Sequence, residues 1–412
     1  MARRSFGLGL VGAGGFGQFC LGAFQKLPNL NLVAVCDQDA SRAQAVAAEF
    51  GMAAYTDFNR LLGDANVDII AINTPPSSHA ALSLAAIRAG KHVFCEKPLA
   101  TSLADAEAVL RQAGEAGVAF TVDYVMRANP LYRLTKQLSE LQVAGIPVLG
   151  TLKRCSLENF ANDESLGREH WFWDPSLSGG IFVEHGVHFF DLFGWQLGRT
   201  PHKVVALAEA RDGGPVDTVQ AVVDYEGGAT SSSFHTFSHA RAGELQTIVF
   251  GWGWAVAELH GWIALDLRLE ALLNEEGVEL LAEKLAPREQ LLAVEGEPLM
   301  PNASLSWRIT EQFPGGRVMK GHGEERRISA RVVVQASLGG AEAKSSVYEQ
   351  GVRAGLSALL SAVENGRSWV IPPADLWSST AAAVAARQAA ASGKAVTCPP
   401  LKRGKNPGNF LH

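Results

Sequence analysis

The first hundred residues alternate between two apolar patterns. Phe6 to Val11 is an apolar run of strand length that enters a cluster of glycines, and Phe16 to Leu27 then reads as a helix. Leu32 to Cys36 and Val67 to Ile72 are further buried-strand runs, with a helix predicted between them from Ser41 to Phe50 and Ser41 as its N-cap. Asn73-Thr74-Pro75-Pro76 breaks the third run. Ser77-Ser78 opens a helix through Ala89, and Gly90 to Phe94 returns to strand. Strands alternating with helices in this way predict β-α-β units and a parallel, doubly wound sheet.

Past residue 126 the pattern shifts towards period two. Val148 to Cys155, Val204 to Ala210, Val219 to Tyr225, Ala229 to Phe237 and Gln246 to Leu259 are predicted strands. The segment Ser231 to Phe237 is polar enough to face a site or lie at a sheet edge. Trp252, Trp254 and Trp262 predict an apolar sheet face, under helices or at a subunit contact. From Arg268 to Arg327 the chain is charged, with a helix near Glu275 to Leu285. The run Arg317 to Arg327 reads as a solvated loop, with an anion-binding lid as the alternative. A helix from Ala374 to Ala391 precedes a Lys/Pro/Gly tail expected to be mobile. The expected organisation is a nucleotide-binding domain at 1–125, an α/β domain at 126–395 with an insert at about 268–327, and a tail at 396–412.

Composition narrows the class. A chain of 412 residues with 47% hydrophobic and 19% charged residues can bury two or three cores. Its formal net charge of -6 argues against general nucleic-acid binding, which needs a basic face. Five scattered cysteines with no CxxC pair point to a reducing, cytoplasmic setting. Arg3-Arg4-Ser5-Phe6 has the outline of a twin-arginine export signal, but the glycine cluster that follows fits a strand and turn better than a signal core. No apolar stretch of about 18 residues predicts a membrane span.

Two stretches carry chemistry. Gly12, Gly14, Gly15, Phe16 and Gly17 form G-x-G-x-x-G after a strand and at the start of a helix, and Asp37 stands twenty residues beyond Gly17. Such glycines let a pyrophosphate approach the backbone at a helix N-terminus, and the acid binds ribose hydroxyls. Asp37 followed by Gln38, with no arginine beside them, selects NAD over NADP. The second stretch is Cys95-Glu96-Lys97-Pro98. A lysine at the end of a buried strand is costly to keep charged, which suits a group that trades protons. The plainer reading has Lys97 reaching outward and Glu96 as an ordinary ion-pair partner.

Gly12 to Gly17, Asp37, Thr74 to His79, Gly90-Lys91-His92-Val93, Glu96-Lys97-Pro98, Arg127-Ala128-Asn129-Pro130 and Ser178-Gly179-Gly180 together resemble the Gfo/Idh/MocA oxidoreductases over roughly the first 240 residues. The resemblance implies an N-terminal Rossmann domain and a C-terminal α/β domain with a large, mostly antiparallel open sheet that packs in a homo-oligomer, dimer or tetramer. It implies Thr74, Pro75, His79 and Glu96 around the cofactor, and Arg127 facing substrate or cofactor unless it makes a structural ion pair. It also implies Lys97, Glu184 and His188 as a proton-handling triad, although the family carries aspartate where Glu184 stands. On a continuous helix Glu184 and His188 would share one face, with Asp191 three residues on. Packed histidines, or a metal held by Glu184, His185, His188 and Asp191, are the competing readings, and no metal is expected. Glu158 to Phe160 and Glu169 to Pro175, with Asn159 and Trp173, have the mix of aromatic and polar surface that suits a sugar, with core packing and a turn at Asp174-Pro175 as the equal alternative. His185 is a further candidate at the substrate.

The expected activity is hydride transfer between NAD and a secondary hydroxyl of a sugar, sugar derivative or cyclic polyol, with Lys97 as acid/base. The alternative is a redox-neutral, NAD-dependent glycoside hydrolase that oxidises, eliminates, adds water and re-reduces. A non-catalytic NAD-binding regulator is the third reading.

Overall fold

A computed structural model describes residues 5–162, 166–167, 169–211, 213–321 and 323–401. The Arg3-Arg4 pair and the tail from 402 onward lie outside the described residues.

The first half-domain is built as the apolar pattern predicts. Strands β1 (Phe6–Val11), β2 (Leu30–Cys36), β3 (Ala53–Tyr55), β4 (Ile69–Ile72), β5 (His92–Cys95) and β6 (Phe120–Val122) form one sheet, ordered β3-β2-β1-β4-β5-β6. Every pairing is parallel, and helices α1 (Gly15–Phe24), α2 (Ala40–Phe50), α3 (Phe58–Leu62), α4 (His79–Arg88) and α5 (Leu103–Ala116) connect them. Strands β1, β4 and β6 are buried on both faces, which is why they read as unbroken apolar runs. One cap differs from expectation: Asp39, not Ser41, starts α2, its carboxylate accepting from the Arg42 N–H at 3.1 Å.

Helix α6 (Pro130–Ser139) and a short hairpin, β7 (Gln142–Val143) with β8 (Ile146–Pro147), lead into the second sheet. Strand β9 is Arg154–Phe160, so it begins where the predicted strand at Val148 to Cys155 was about to end. Three short or broken helices follow, α7 (Pro175–Ser178), α8 (Ile181–Glu184) and α9 (Val187–Leu197). Then come β10 (Pro201–Ala210), β11 (Val216–Tyr225) and β12 (Ala229–Thr236). The single strand expected over Gln246 to Leu259 is two, β13 (Leu245–Gly251) and β14 (Ala255–His260), because Trp252-Gly253-Trp254 makes the turn.

The charged insert extends this sheet. Strand β15 (Asp266–Leu273), helices α10 (Glu275–Lys284) and α11 (Arg288–Leu292), and strands β16 (Ser304–Gly321) and β17 (Glu324–Ser337) place a long hairpin at its edge. Arg317 to Arg327 is therefore paired strand rather than a solvated loop: Arg317 faces Ile328 and Met319 faces Arg326 across the ladder, while His322 lies outside the described residues. The charges line the exposed positions of a strand, where they leave the ladder intact.

Helix α12 (Lys344–Glu364) packs on α1, and helix α13 (Pro373–Ser392) packs on α5, α8, α9 and β10, joining the two sheets; β18 (Val396–Thr397) closes the far edge. The ten strands run β16-β17-β15-β14-β13-β9-β12-β11-β10-β18, all antiparallel except the β9–β12 pair. One face of this sheet is covered and the other leaves Val205, Leu207, Val222 and Val256 exposed.

Candidate active site

The cofactor end is assembled within the parallel sheet. Gly12 has φ of 96°, and a Cβ there would lie 2.4 Å from the Asn73 carbonyl. A Cβ on Gly17 would lie 2.1 Å from the Gly12 carbonyl, so the loop must fold tightly under α1. Gly14 and Gly15 behave differently: a Cβ on either meets nothing within 4 Å, and Gly14 leaves the α1 N-terminus without a side-chain cap. Open backbone N–H groups at a helix start are what a pyrophosphate requires, so this loop fits a dinucleotide. Asp37 closes the loop, accepting from the Ala13 N–H at 2.8 Å. Thr74 borders the loop beside Gly12, and its hydroxyl meets Ser78 Oγ at 2.6 Å, which in turn donates to the Pro75 carbonyl at 2.8 Å.

Gln38 is exposed beside Asp37. Arg42, on the first turn of α2, stands 3.4 Å from both Asp37 oxygens, so an arginine does sit at the acid although none adjoins it in sequence. Phe16 faces the other way, packing on Phe19 and on Tyr348 from α12 at 5.7 and 5.8 Å between ring centroids.

The reaction end is assembled from both sheets. Lys97, with a side chain 15% exposed, donates to Glu184 Oε1 at 2.5 Å and to the Glu184 carbonyl at 3.1 Å. Glu184 ends α8. The continuous helix expected from Glu184 to Asp191 is broken at His185 and Gly186, where α8 stops and α9 begins. A Cβ on Gly186 would lie 2.8 Å from the Phe182 carbonyl, which explains the glycine at the junction. As a result Glu184 turns to Lys97 rather than to His188, and His188 Nδ1 has no hydrogen-bond partner among the described residues. Burial, then the Lys97 charge, holds the His188 imidazole well below its ordinary range, and it stays neutral.

Around this pair the second sheet supplies a neutral, ring-lined wall. His185, pushed down to about 3 by burial and then by Lys97, lies 3.4 Å from Asn159 Nδ2 and packs on Phe237 and His235. Asn159 lies on β9 and His235 on the adjacent β12, and the two meet at 3.5 Å. Trp173 reaches the same wall edge-on to Phe237. The polar segment Ser231 to Phe237 thus faces a site, but from the sheet interior and not from an edge.

Several expected roles change. His79 was expected at the cofactor, but its ring is wholly buried and both nitrogens meet carbonyls, Pro98 at 2.7 Å and Thr74 at 2.8 Å. It ties the Thr74 loop to the Lys97-Pro98 turn. Glu96 is also buried, its carboxylate accepting from the Lys97 N–H at 3.1 Å, so it shapes the lysine turn from below. Arg127 makes the structural ion pair: its guanidinium grips Asp191 through two 2.8 Å bonds and Asp375 through one of 3.0 Å, in a separate cavity lined also by Trp195. Asp191 and Glu184 are thereby committed to different cations, and no group of three metal-ligating side chains occurs among the described residues.

Four residues were not foreseen as site residues. Trp262, expected on a sheet face, packs on His188 and Tyr348. Tyr348 lies in the field of Glu96, Asp123 and Glu184. His235 and Asp123 complete the surroundings. Tyr348 stands on an otherwise amphipathic helix and Trp262 in a turn, so local pattern alone gave no signal for either; His235 was visible only as one polar residue in a polar strand.

A glycine loop at the end of a parallel strand, with a lysine–carboxylate pair at the neighbouring strand ends, is the arrangement of a nucleotide-binding domain with a site at its strand ends. Residues 6–124 match the model of the oxidoreductase family with an NAD-binding Rossmann fold, and residues 148–253 match the GFO/IDH/MocA C-terminal domain. The chain belongs to the Gfo/Idh/MocA oxidoreductase family, and its first domain is an NAD-binding Rossmann domain. It is 31% identical over 196 residues to a 4-carboxy-2-hydroxymuconate-6-semialdehyde dehydrogenase of Sphingobium sp., covering 47% of this chain and 59% of that one. It is 30% identical over 233 residues to an NADP(+) D-xylose 1-dehydrogenase of Haloferax volcanii, covering 55% of this chain and 69% of that one. An oxidoreductase domain protein of Kribbella flavida shares the fold, with a TM-score of 0.72 at 20% identity over 96% of this chain and 100% of that one.

Proposed function

We propose that the protein is an NAD-dependent dehydrogenase acting on a secondary hydroxyl of a sugar, sugar derivative or cyclic polyol. The carrying observation is the Lys97–Glu184 contact of 2.5 Å at the strand ends of the nucleotide-binding sheet, walled by His185, His188, Asn159 and aromatic rings. Bound NAD supplies the hydride acceptor. Lys97 takes the hydroxyl proton as the C–H bond breaks, and Glu184 holds the lysine side chain in place and balances its charge. His188, neutral and with an unpartnered ring nitrogen, orients the hydroxyl. Asn159, His185 and Trp173 hold the rest of the ring through polar edges and an apolar face. Asp37 favours NAD, and its ion pair with Arg42 softens that preference. Names of relatives support the substrate class, since one acts on D-xylose and another is a myo-inositol 2-dehydrogenase. The open sheet face with its exposed valines and leucine supports a homo-oligomer, and a cytoplasmic setting fits the five buried free thiols.

The test is NADH formation on a panel of polyols, free sugars and glycosides, with product analysis. Steady NADH on a free sugar or polyol is the expected result. Release of an aglycone without net NADH would replace the dehydrogenase with the redox-neutral glycosidase.

A further inference from the structure

Two separate backbone segments carry the Lys97–Glu184 pair. Lys97 opens the turn through Pro98 to Thr101 that leads from β5 into α5, where Ser102 caps the helix by accepting from the Asp105 N–H at 3.2 Å. Glu184 ends α8, a helix that starts just after Gly179 and Gly180, both at φ of 82°. The lysine amine reaches the Glu184 carbonyl as well as its carboxylate, so the contact depends on where the α8 backbone sits against the turn. The two segments also meet behind the pair. A Cβ on Gly179 would lie 2.7 Å from Val183 Cγ1 and 3.3 Å from Thr101 Cγ2.

Arg387 spans that seam. It stands on α13, which packs on both α5 and α8. Its guanidinium donates from Nη1 to the Gly179 carbonyl at 3.2 Å and from Nη2 to the Thr101 carbonyl at 3.0 Å. The side chain is half-buried, and no carboxylate pairs with it among the described residues. An arginine present for charge balance would face an acid. This one presents a planar fork of fixed width to two main-chain acceptors from different parts of the chain.

We propose that Arg387 is a positioning residue: by bridging the Thr101 and Gly179 carbonyls it sets the Lys97 turn against α8, and through them the Lys97–Glu184 contact. Its effect on rate rests on the reading of Lys97 as the acid/base; the bridge itself does not. Without the fork both carbonyls lose this donor, and the start of α8 is left to two consecutive glycines in the left-handed region, the most freely rotating backbone available. A displacement of about 1 Å at a reacting group can cost about a hundredfold in rate, so a loosened seam is costly although Arg387 touches neither partner of the pair.

Arg387→Met keeps the side-chain stem and removes the fork; Arg387→Lys, which keeps a cation without the fixed spacing, gives the same comparison in milder form where the first variant does not fold. Hydrogen–deuterium exchange of the whole protein, read by mass spectrometry, is expected to quicken in the variant over both 99–105 and 179–186, while β1 to β4 keep wild-type protection. On a polyol or sugar that supports NADH formation, kcat is expected to fall on the order of tenfold, with KM for NAD near wild type. Glu184→Ala already breaks the contact, so adding Arg387→Met to it should change kcat by about twofold or less, whereas an arginine that only stabilises the fold would cost the same factor in both backgrounds. Unchanged exchange in either segment of a folded variant, or equal factors in the two backgrounds, overturns the proposal. Lys97→Met separates it from the parent reading: an active Lys97→Met enzyme sinks the acid/base assignment, while exchange that quickens in both segments of the Arg387 variant still establishes the bridge.

Discussion

Two cation–carboxylate pairs hang from the same broken helix, and they do different work. Glu184, at the end of α8, meets Lys97; Asp191, one turn beyond His188 on α9, meets Arg127. The Arg127 pair is two-pronged, its acid side chain 1% exposed, and Asp375 adds a third bond. Planar, always charged and held by three hydrogen bonds, the guanidinium can neither gain nor lose a proton usefully. The Lys97 pair is single-pronged, both partners retain some exposure, and the open side faces a neutral imidazole wall. A point charge on a flexible stem with room before it is a proton carrier; a fork locked on both sides is a brace. Both pairs join an acid on α8 or α9 to a cation that follows a strand of the first sheet, so shared location alone did not decide the roles.

The contrast can be broken most sharply by exchanging losses. Lys97→Met is expected to lower kcat by on the order of a hundred- to ten-thousandfold while NADH still binds, measured by steady-state rate and by NADH fluorescence titration. Arg127→Met leaves Asp191 buried and unpaired, and should cost about 3–5 kcal/mol of stability, read as a drop in the denaturation midpoint. If Arg127→Met instead kept its stability and lost turnover, the two pairs would have to trade roles. Glu184→Asp draws the carboxylate back by one methylene; kcat is expected to fall on the order of ten- to a hundredfold with Tm little changed.

A smaller effect concerns acid. His185 sits near 3 in the fold, against about 6.5 when unfolded, and burial is the main cause. Between those values the unfolded chain binds the extra proton, so this stability is fully present above about 6.5 and is lost as pH falls towards 3. His188 and His235 act in the same direction. His235→Gln should therefore flatten the acid limb of a stability–pH profile, measured by urea unfolding at several pH values.

The sequence was most legible where the structure is local. The glycine loop, Asp37 and the parallel strands are held by contacts within one sheet, and period and spacing report such contacts directly. Lys97 was legible because an unusual residue ends an apolar strand. The helix break at His185-Gly186 was not, since four-residue spacing assumes a continuous helix and the clash at Gly186 appears only in three dimensions. Arg42 at Asp37 escaped notice because one turn of α2 brings it back from five residues away. Arg127 and Tyr348 depended on partners more than 60 and more than 80 residues distant in the chain, which no local pattern carries.

The most direct test of the account follows NADH over time with the whole enzyme, NAD and a panel of free sugars and polyols, wild type beside Lys97→Met. Steady accumulation in the wild type, and none in a variant that still binds NADH, is the predicted result. A Lys97→Met enzyme turning over within tenfold of wild type would contradict it.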